Sequence, residues 1–413
     1  MENSYKNPIG ITSQFSFCGL PFRLDTYAGC AYSCTYCFAR LRGGNVNTKK
    51  IRIANPDLII SKFKNAINKP KYTTGIIAEF IRNQTPLHFG GMSDPFQPIE
   101  STKKITLQIL KYLCSIQYPL VISTKSNLLA NPQYLEILKD NPYVVVQFSF
   151  STIQDSVGEL VEPYALKPSE ILKAIEHLSK HDVKTTIRWQ PYIPNVSDSP
   201  TDFVQTANNV GVKHIGFEHL KLPVERDNPL WKKLVSKLQF DITKYYKDLN
   251  CVSDGRELVL PTLIKLSTAL LVKSECHKVG LSFGAADNEI QHLSDYDCCC
   301  SGIDQFIGFE NWNKFQIGYA IKKSIGKKIK FSTIGNQWRP QGSIDQYLNS
   351  KTRIEKSNGH NKIDHYIYSR WEDLNSPFNP TRYFGVVDTD ERDDSGMRVY
   401  EWNDSLELEN YWI

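Results

Sequence analysis

The sequence lacks a long apolar run and carries only a small excess of charge. No stretch of its 413 residues approaches the ~18 to 20 consecutive apolar residues that span a bilayer. The first residues, MENSYKNPIGITSQ, lack the basic and then apolar order of a secretion signal. We therefore expect a cytoplasmic protein without a membrane partner. The 49 Lys and Arg against 44 Asp and Glu give a net charge of +5, which permits an anionic partner but does not by itself indicate one.

Internal repeats at the period of solenoid proteins are absent, and the composition is that of a globular protein. The chain is 41% hydrophobic and 23% charged, which excludes wholesale disorder. From about residue 85, short apolar strands alternate with amphipathic helices, the pattern of βα units around a parallel sheet. Six strands are predicted, namely Phe22–Thr26, Leu87–Gly90, Leu120–Thr124, Val144–Ser151, Val183–Trp189 and His214–Phe217.

This pattern predicts an α/β fold with an incomplete barrel. A closed eight-unit barrel needs roughly 250 residues, whereas six units precede residue 220. We expect a partial (β/α)6 barrel of parallel strands over residues 1–225, open on one side. Barrel-closing helices with a second cysteine group would follow in 226–304. Residues 305–413 would form a C-terminal extension or small domain with a substrate or accessory role.

The alternation of side chains within the strands predicts which residues face the barrel interior. In Val144–Ser151, Ser149 and Ser151 fall on the face opposite to the apolar residues, because neighbouring side chains point to opposite faces of a strand. In Val183–Trp189, Arg188 is likewise opposite to the apolar set. We expect these three side chains to point inward near the carboxyl ends of the strands, where barrel enzymes place their sites.

The chain has ten cysteines, a number that needs an explanation. A reducing cytosol disfavours structural disulfides, so clustered cysteines there usually bind metal or take part in redox chemistry. Cys18, Cys114 and Cys251 stand alone in the sequence and are predicted to be small buried hydrophobic residues. The other cysteines form two groups, Cys30, Cys34 and Cys37, then Cys276, Cys298, Cys299 and Cys300.

The first group forms a C-x3-C-x2-C motif in LDTYAGCAYSCTYCFAR, directly after a predicted strand. Three thiolates on one short loop can bind three irons of a four-iron cluster, which normally takes four cysteine ligands. One iron is then left open, and an open coordination position separates reactive metal sites from closed structural ones. The alternative is a zinc loop that takes its fourth ligand from elsewhere.

This loop resembles that of the radical S-adenosylmethionine (SAM) superfamily, in which an aromatic residue, here Tyr36, precedes the third cysteine. The resemblance implies a 4Fe-4S cluster bound by Cys30, Cys34 and Cys37, whose open iron binds the amino and carboxylate groups of SAM. It also implies one-electron cleavage of SAM to a 5'-deoxyadenosyl radical. The electron would come from an external reductant such as a flavodoxin or ferredoxin.

Later motifs resemble the spore photoproduct lyase-related branch of this superfamily. They are HFGGMSDPFQPIE, VISTKSNLL, QFSFSTIQDSVGELVEP and TTIRWQPYIPN, and the resemblance covers about residues 15–225. It implies that the glycine pair Gly90 and Gly91 meets the methionyl amino group, since glycine allows a ligand close to the main chain. It further implies SAM contacts by Ser93, Lys125, Ser149, Ser151, Glu162 and Arg188.

The residue types suit these roles. Lysine or arginine can pair with the methionyl carboxylate, and serine or glutamate can bond to the ribose hydroxyls or the amino group. A solvated lysine at a strand end and a surface glutamate are the alternatives for Lys125 and Glu162. One departure matters: in the branch, a cysteine that donates a hydrogen atom occupies the place of Gly91. We therefore do not expect repair of spore-type thymine dimers.

The second cysteine group has several interpretations. Cys276, with His277, and the triplet Cys298, Cys299 and Cys300 could bind an auxiliary iron–sulfur cluster or zinc. A buried cysteine pair without metal, a local disulfide and a hydrogen-donating thiol are the alternatives.

A basic strip in the C-terminal part, with aromatic residues interleaved, is typical of nucleic-acid binding, although it also fits a solvated helix face. The strip consists of Lys322, Lys323, Lys327, Lys328, Lys330, Trp338, Arg339, Lys351, Arg353 and Lys356. The acidic residues around Asp390 are predicted to form a solvated loop.

We therefore expect a radical SAM enzyme that abstracts hydrogen from a large substrate, with nucleic acid as the first candidate. A peptide or protein substrate is one alternative. A non-catalytic iron–sulfur protein that carries electrons or senses redox state is the other.

Overall fold

The computed structural model describes residues 4–37, 39, 50–224, 229–238, 240–255, 257–297, 299–310, 312, 314–334, 338–348 and 362–403. The strands, numbered in chain order, are β1 Ser4–Tyr5, β2 Ile9–Ile11, β3 Phe22–Leu24, β4 Tyr27–Ala28, β5 Arg52–Ala54, β6 Leu87–Phe89, β7 Leu120–Thr124, β8 Val144–Phe150, β9 Lys184–Tyr192, β10 His214–His219, β11 Leu222–Pro223, β12 Val252–Asp254, β13 Glu257–Val259, β14 Ser282–Ala285, β15 Val386–Arg392 and β16 Arg398–Trp402. The helices, likewise in chain order, are α1 Pro56–Asn68, α2 Ile76–Arg82, α3 Glu100–Lys103, α4 Ile105–Ser115, α5 Pro132–Leu138, α6 Asp155–Val161, α7 Pro168–Ser179, α8 Pro200–Asn209, α9 Pro229–Lys237, α10 Ile242–Asp248, α11 Thr262–Lys278, α12 Ile317–Lys323 and α13 Lys362–Glu372.

A central eight-stranded sheet, in the order β14–β10–β9–β8–β7–β6–β3–β2, confirms the predicted α/β class and contains all six predicted strands. Its strands run parallel except β2, which is antiparallel to β3. The two strands that were not predicted, β2 and β14, are only three and four residues long and each contains a glycine. Glycine weakens the strand pattern, so short strands of this kind carry little signal in the sequence.

Helices cover one face of the sheet and leave the other to form the barrel interior. On the outer face, Trp189 of β9 stacks on Phe203 of α8 with ring centroids 3.8 Å apart, and Phe150 of β8 contacts the same ring at 5.7 Å. On the alternate positions, Ser149 lies opposite Arg188 in the register of β8 and β9. The face of the sheet that carries the apolar side chains is therefore the one covered by helices, as the alternation predicted.

A segment after α11 crosses the interior face at β10 and β14. A Cβ atom at Gly216 or Gly284 would lie 2.7 or 2.4 Å from the carbonyl oxygen of Cys300, so both strands need glycine where this segment passes. Nε2 of His214 is 2.8 Å from the same oxygen and must be the donor, because a carbonyl only accepts. Residues distant in sequence thus close the barrel wall on this side.

Smaller elements complete the chain. Strands β11, β12 and β13 form a three-stranded sheet, and β15 pairs with β16. Asn379 is fully buried among the C-terminal elements; its amide nitrogen donates to the Trp371 carbonyl (2.7 Å), and its amide oxygen accepts from the Thr381 backbone N–H (3.0 Å). In the part of the chain that the structure describes, none of the helices combines the length and apolar character needed to span a membrane.

Candidate active site

The first cysteine group lies on the loop that leaves β4, at the carboxyl edge of the parallel sheet. The buried side chain of Gln97 holds this loop on both sides of Cys30. Its amide oxygen accepts from the Ala31 backbone N–H (2.9 Å), and its amide nitrogen donates to the Gly29 carbonyl (3.0 Å). Sequence reasoning missed Gln97, because its role depends on a contact between segments 66 residues apart.

The sulfur atoms of this loop lie in a largely buried setting. Burial raises the pKa of the Cys30 thiol to about 12, and the Asp94 carboxylate adds to the shift. The backbone N–H groups of Asp94 and Tyr32 donate to the same sulfur and oppose it. Burial also raises the pKa of Cys34 well above its usual range, while the ammonium of Lys125 acts in the opposite direction. Metal binding would have to deprotonate these thiols, since the thiolate is the ligand.

The donor set fits an iron–sulfur cluster. Cys30, Cys34 and Cys37 are soft thiol ligands on one loop, close enough that charge on Cys37 would raise the pKa of both of the others. Among the described residues, no group of three or more His, Cys, Asp or Glu side chains is arranged around one metal ion. A cluster does not need such convergence, because each cysteine binds a different iron.

The glycine pair follows β6 in a turn that only glycine can make. Gly90 has a φ of +96°, and a Cβ there would lie 2.6 Å from Cδ of Pro95 and 2.7 Å from the Ser123 carbonyl oxygen. A side chain at this position would therefore clash with both neighbours. The main chain of the turn is left uncovered by any side chain of its own, as close approach of a ligand requires.

Asp25, which sequence reasoning missed, positions the residues after the glycine pair. Its buried carboxylate accepts from the backbone N–H groups of Met92 (2.7 Å) and Ser93 (3.2 Å) and from the Arg23 guanidinium (2.5 Å). The Ser93 hydroxyl donates to the Tyr27 carbonyl, so this predicted SAM contact is engaged with the protein itself. The sequence prediction placed Asp25 inside the strand Phe22–Thr26, and a charged residue within a predicted strand was the only signal.

Lys125 and Glu162 are buried and paired, which excludes a solvated lysine and a surface glutamate. Their side chains are 13% and 4% exposed, and Nζ of Lys125 is 3.1 Å from a carboxylate oxygen of Glu162. The Tyr36 hydroxyl and the Ser151 hydroxyl both donate to the same oxygen of Glu162. Four predicted site residues from four parts of the chain thus meet at one point beside the cysteine loop.

Arg188 extends into the barrel interior beside a group of thiols. Its guanidinium is 3.7 Å from the Glu218 carboxylate and interacts electrostatically with Cys18, Cys299 and Cys300. The sequence predicted Cys18 to be a small buried hydrophobic residue, and its side chain is indeed partly buried against the hydrophobic core; the fold also brings it near Cys299. These three thiols come together only because chain segments about 280 residues apart meet inside the barrel.

The second cysteine group is divided by the sheet. Cys276 is buried in α11, which packs on the outer face of β14, whereas the segment of Cys299 and Cys300 lies on the inner face. The structure therefore does not bring Cys276 to this pair, because a strand separates them. Cys298 lies outside the described residues.

The predicted basic strip is largely engaged in internal contacts. Lys322 donates to the Ser294 carbonyl (2.8 Å), Lys323 pairs with Asp297 (2.5 Å) and Lys328 pairs with Glu391 (2.5 Å). The Trp338 ring contacts Phe80 and Phe315, and Arg339 pairs with Asp364 at 2.7 Å. These partners reduce the charge available to an anionic ligand. Lys351, Arg353 and Lys356 lie outside the described residues.

Comparisons with known proteins match the part of the chain that holds this site. The family model of the radical SAM superfamily matches residues 24–206. An uncharacterized protein of Methanocaldococcus jannaschii is 25% identical over 51% of this chain and 74% of its own length. A radical SAM Nα-GlyT isomerase of Pseudomonas phage M6 is 23% identical over 39% of this chain and 34% of its own length.

Among solved structures, a variant of spore photoproduct lyase aligns with a TM-score of 0.47 and 14% identity over 74% of this chain and 79% of that one. The matched residues 24–206 contain the cysteine loop, the glycine pair and the Tyr36–Lys125–Glu162 contacts described above. Residues 24–206 of the chain thus carry a radical SAM family domain.

Proposed function

We propose that this enzyme binds a 4Fe-4S cluster through Cys30, Cys34 and Cys37, binds SAM next to it, and acts on a nucleic acid. The observation that carries the first part is the loop itself, with three thiols at the carboxyl edge of the sheet. Held by Cys30, Cys34 and Cys37, a 4Fe-4S cluster would supply the electron for reductive cleavage of SAM, the chemistry that generates a radical able to abstract hydrogen from the substrate. An external one-electron reductant, such as a flavodoxin or ferredoxin, supplies that electron.

The residues of the chain position SAM. The main chain at Gly90 and Gly91 accommodates the methionyl end, and Asp25 keeps the following residues in place through two N–H bonds. Arg188, on the interior face, offers its guanidinium to the methionyl carboxylate. Ser149 lies beside it in the register and would offer its hydroxyl to the ribose hydroxyls of SAM.

A groove at the edge of the sheet supports a nucleic acid as the substrate. It has a volume of about 680 Å³ and lies between the start of the chain, β2 and α1. Its charged lining residues are Lys6, Arg23 and Lys62, and the aromatic ones are Tyr5 and Tyr347. All the charges that line it are positive, and cations with interleaved aromatic rings are what a nucleic-acid strand requires for its phosphates and bases.

Arg23 links the groove to the glycine turn. Arg23 lines the groove, and the same side chain would lie 3.4 Å from a Cβ at Gly91 in the glycine turn. A strand in the groove would therefore lead to the site where the radical forms. The volume is sufficient for a ligand of nucleotide size.

Reconstitution of the protein with iron and sulfide tests whether it binds the cluster and cleaves SAM. The full chain, loaded with iron and sulfide without oxygen, should release 5'-deoxyadenosine when given SAM and dithionite. Cys34→Ala should lose both the brown chromophore and this product, whereas Cys251→Ala, as a matched control, should keep both. Failure of the loaded wild-type protein to form 5'-deoxyadenosine would refute the proposed chemistry.

Salt-dependent binding of a single-stranded oligonucleotide tests the substrate class. Neutralising two phosphate contacts with Lys6→Gln/Lys62→Gln should reduce the slope of log K against log salt by about 1.4, at roughly 0.7 per contact. Lys64→Gln/Lys69→Gln removes the same charge from the same region and should leave the slope unchanged. Equal slopes for both variants would overturn the nucleic-acid assignment and favour a peptide or protein substrate.

A further inference from the structure

Lys125 uses all of its hydrogen-bond donors within the protein. Its Nζ donates to the Ser149 carbonyl (2.6 Å), the Tyr36 hydroxyl (3.1 Å) and the Glu162 carboxylate (3.1 Å). An ammonium has three N–H groups, so these three partners satisfy it. In this arrangement no donor remains for the carboxylate of SAM, the partner that the sequence suggested.

The partners of Lys125 hold the cysteine loop. Tyr36, between the second and third cysteines, donates to Glu162, and Thr35 donates to the Val161 carbonyl through its backbone N–H (3.1 Å) and its hydroxyl (2.8 Å). The loop is therefore tied to residues 161–162 by three hydrogen bonds. Lys125, which directly follows β7, reinforces this connection because its Nζ contacts both Tyr36 and Glu162.

The charge of Lys125 lies beside the cysteine loop. Its Nζ is 3.1 Å from the hydroxyl of Tyr36, which stands between Cys34 and Cys37 in the sequence. The side chain of Lys125 is only 13% exposed, so water screens its charge weakly. The ammonium therefore places a weakly screened positive charge next to this loop, with the Glu162 carboxylate as its counter-charge.

We propose that Lys125 is a positioning residue for the iron–sulfur cluster, and that its buried charge raises the cluster's reduction potential instead of binding the carboxylate of SAM. This inference rests on the cluster site of the proposed function. Reduction adds one electron, supplied by the external reductant, and so increases the negative charge on the cluster. A fixed cation beside one ligand stabilises that state, since local charge and hydrogen bonds set the potential of such clusters. Glu162 opposes this effect, while its bonds to Lys125 and Tyr36 keep the cation in place.

The test is the midpoint potential of the reconstituted full chain without SAM, followed by the electron paramagnetic resonance signal of the reduced cluster. Lys125→Met should shift the potential to more negative values. Lys125→Arg, which keeps the charge, should have a potential close to that of the wild type. Glu162→Gln should shift it in the opposite direction. Lys139→Met changes the net charge equally on an exposed helix end and should leave the potential at the wild-type value.

Separate measurements distinguish the possible failures. Unchanged potentials in Lys125→Met and Glu162→Gln, with at least a tenfold loss of SAM affinity in Lys125→Met, would overturn the inference and return Lys125 to the SAM carboxylate. If Lys125→Met does not retain the cluster, the sign of the potential shift in Glu162→Gln tests the inference instead. A shift to more positive values supports it, and a shift to more negative values overturns it. A wild-type chain that assembles no cluster would refute the proposed function itself, before this inference is reached.

Discussion

Gly284→Ala tests how the barrel interior is closed. A methyl group at this position would lie 2.4 Å from the carbonyl oxygen of Cys300, 2.7 Å from its carbon and 2.8 Å from its Cα. Carbon–oxygen contacts are ordinarily no shorter than about 3.3 Å, so the Cys300 segment would have to move by about 1 Å. Backbone atoms cannot turn aside as the end of a flexible side chain can.

The cost has two parts. Forcing an extra methyl into a packed site costs about 1 to 3 kcal/mol. The movement would also lengthen the His214–Cys300 hydrogen bond, 2.8 Å in the structure, and its loss costs about 1 kcal/mol. The free energy of unfolding should therefore fall by about 2 to 4 kcal/mol.

Urea unfolding followed by circular dichroism measures this change. The matched control is Gly10→Ala, in strand β2 of the same sheet, because the nearest atoms to a Cβ there belong to the flexible Arg23 side chain at 3.4 to 3.6 Å. The control should stay within about 0.5 kcal/mol of the wild type. If Gly284→Ala unfolds at the same urea concentration as Gly10→Ala, the segment does not lie against the sheet, and the reasoning is refuted.

Three further predictions concern single buried groups. Asp25→Asn should weaken SAM binding to the reconstituted protein at least tenfold, since an amide cannot accept all the bonds of the carboxylate; equilibrium dialysis measures this, and a loss of the same size in the exposed Asp57→Asn would contradict it. Asn379→Ala should lower the free energy of unfolding by about 2 to 3 kcal/mol, because buried donors and acceptors lose their partners; the exposed Asn375→Ala should not, and equal stabilities would be evidence against this role. Burial, with nearby lysines, lowers the pKa of His292 to about 3, from an ordinary value of 6.5. The unfolded chain therefore binds the proton first as the pH falls below about 6.5, and stability should decrease by about 1.4 kcal/mol at pH 5.5. His292→Gln should remove this part of the pH dependence, and an unchanged difference between pH 7.5 and 5.5 would rule the explanation out.

The sequence was sufficient for the features that depend on local order. The six predicted strands follow from periodic apolar residues, and the inward parity of Ser149 and Arg188 follows from strand geometry alone. The cysteine loop was identifiable because its three cysteines lie within eight residues. Strand β14 escaped prediction because four residues that include Gly284 carry almost no periodic signal.

The partners of the functional side chains depended instead on how the sheet is assembled. Contacts between residues far apart in the sequence determine these partners. They surround Lys125 with its acceptors and let Asp25 hold the turn after the glycine pair. They also bring Cys18 near Cys299 and place Cys276 behind β14. Strand order and packing bring such residues together, and a single sequence records neither. Local spacing therefore predicted the cysteines of the proposed cluster site, and only the folded chain revealed the charges and hydrogen bonds that act on them.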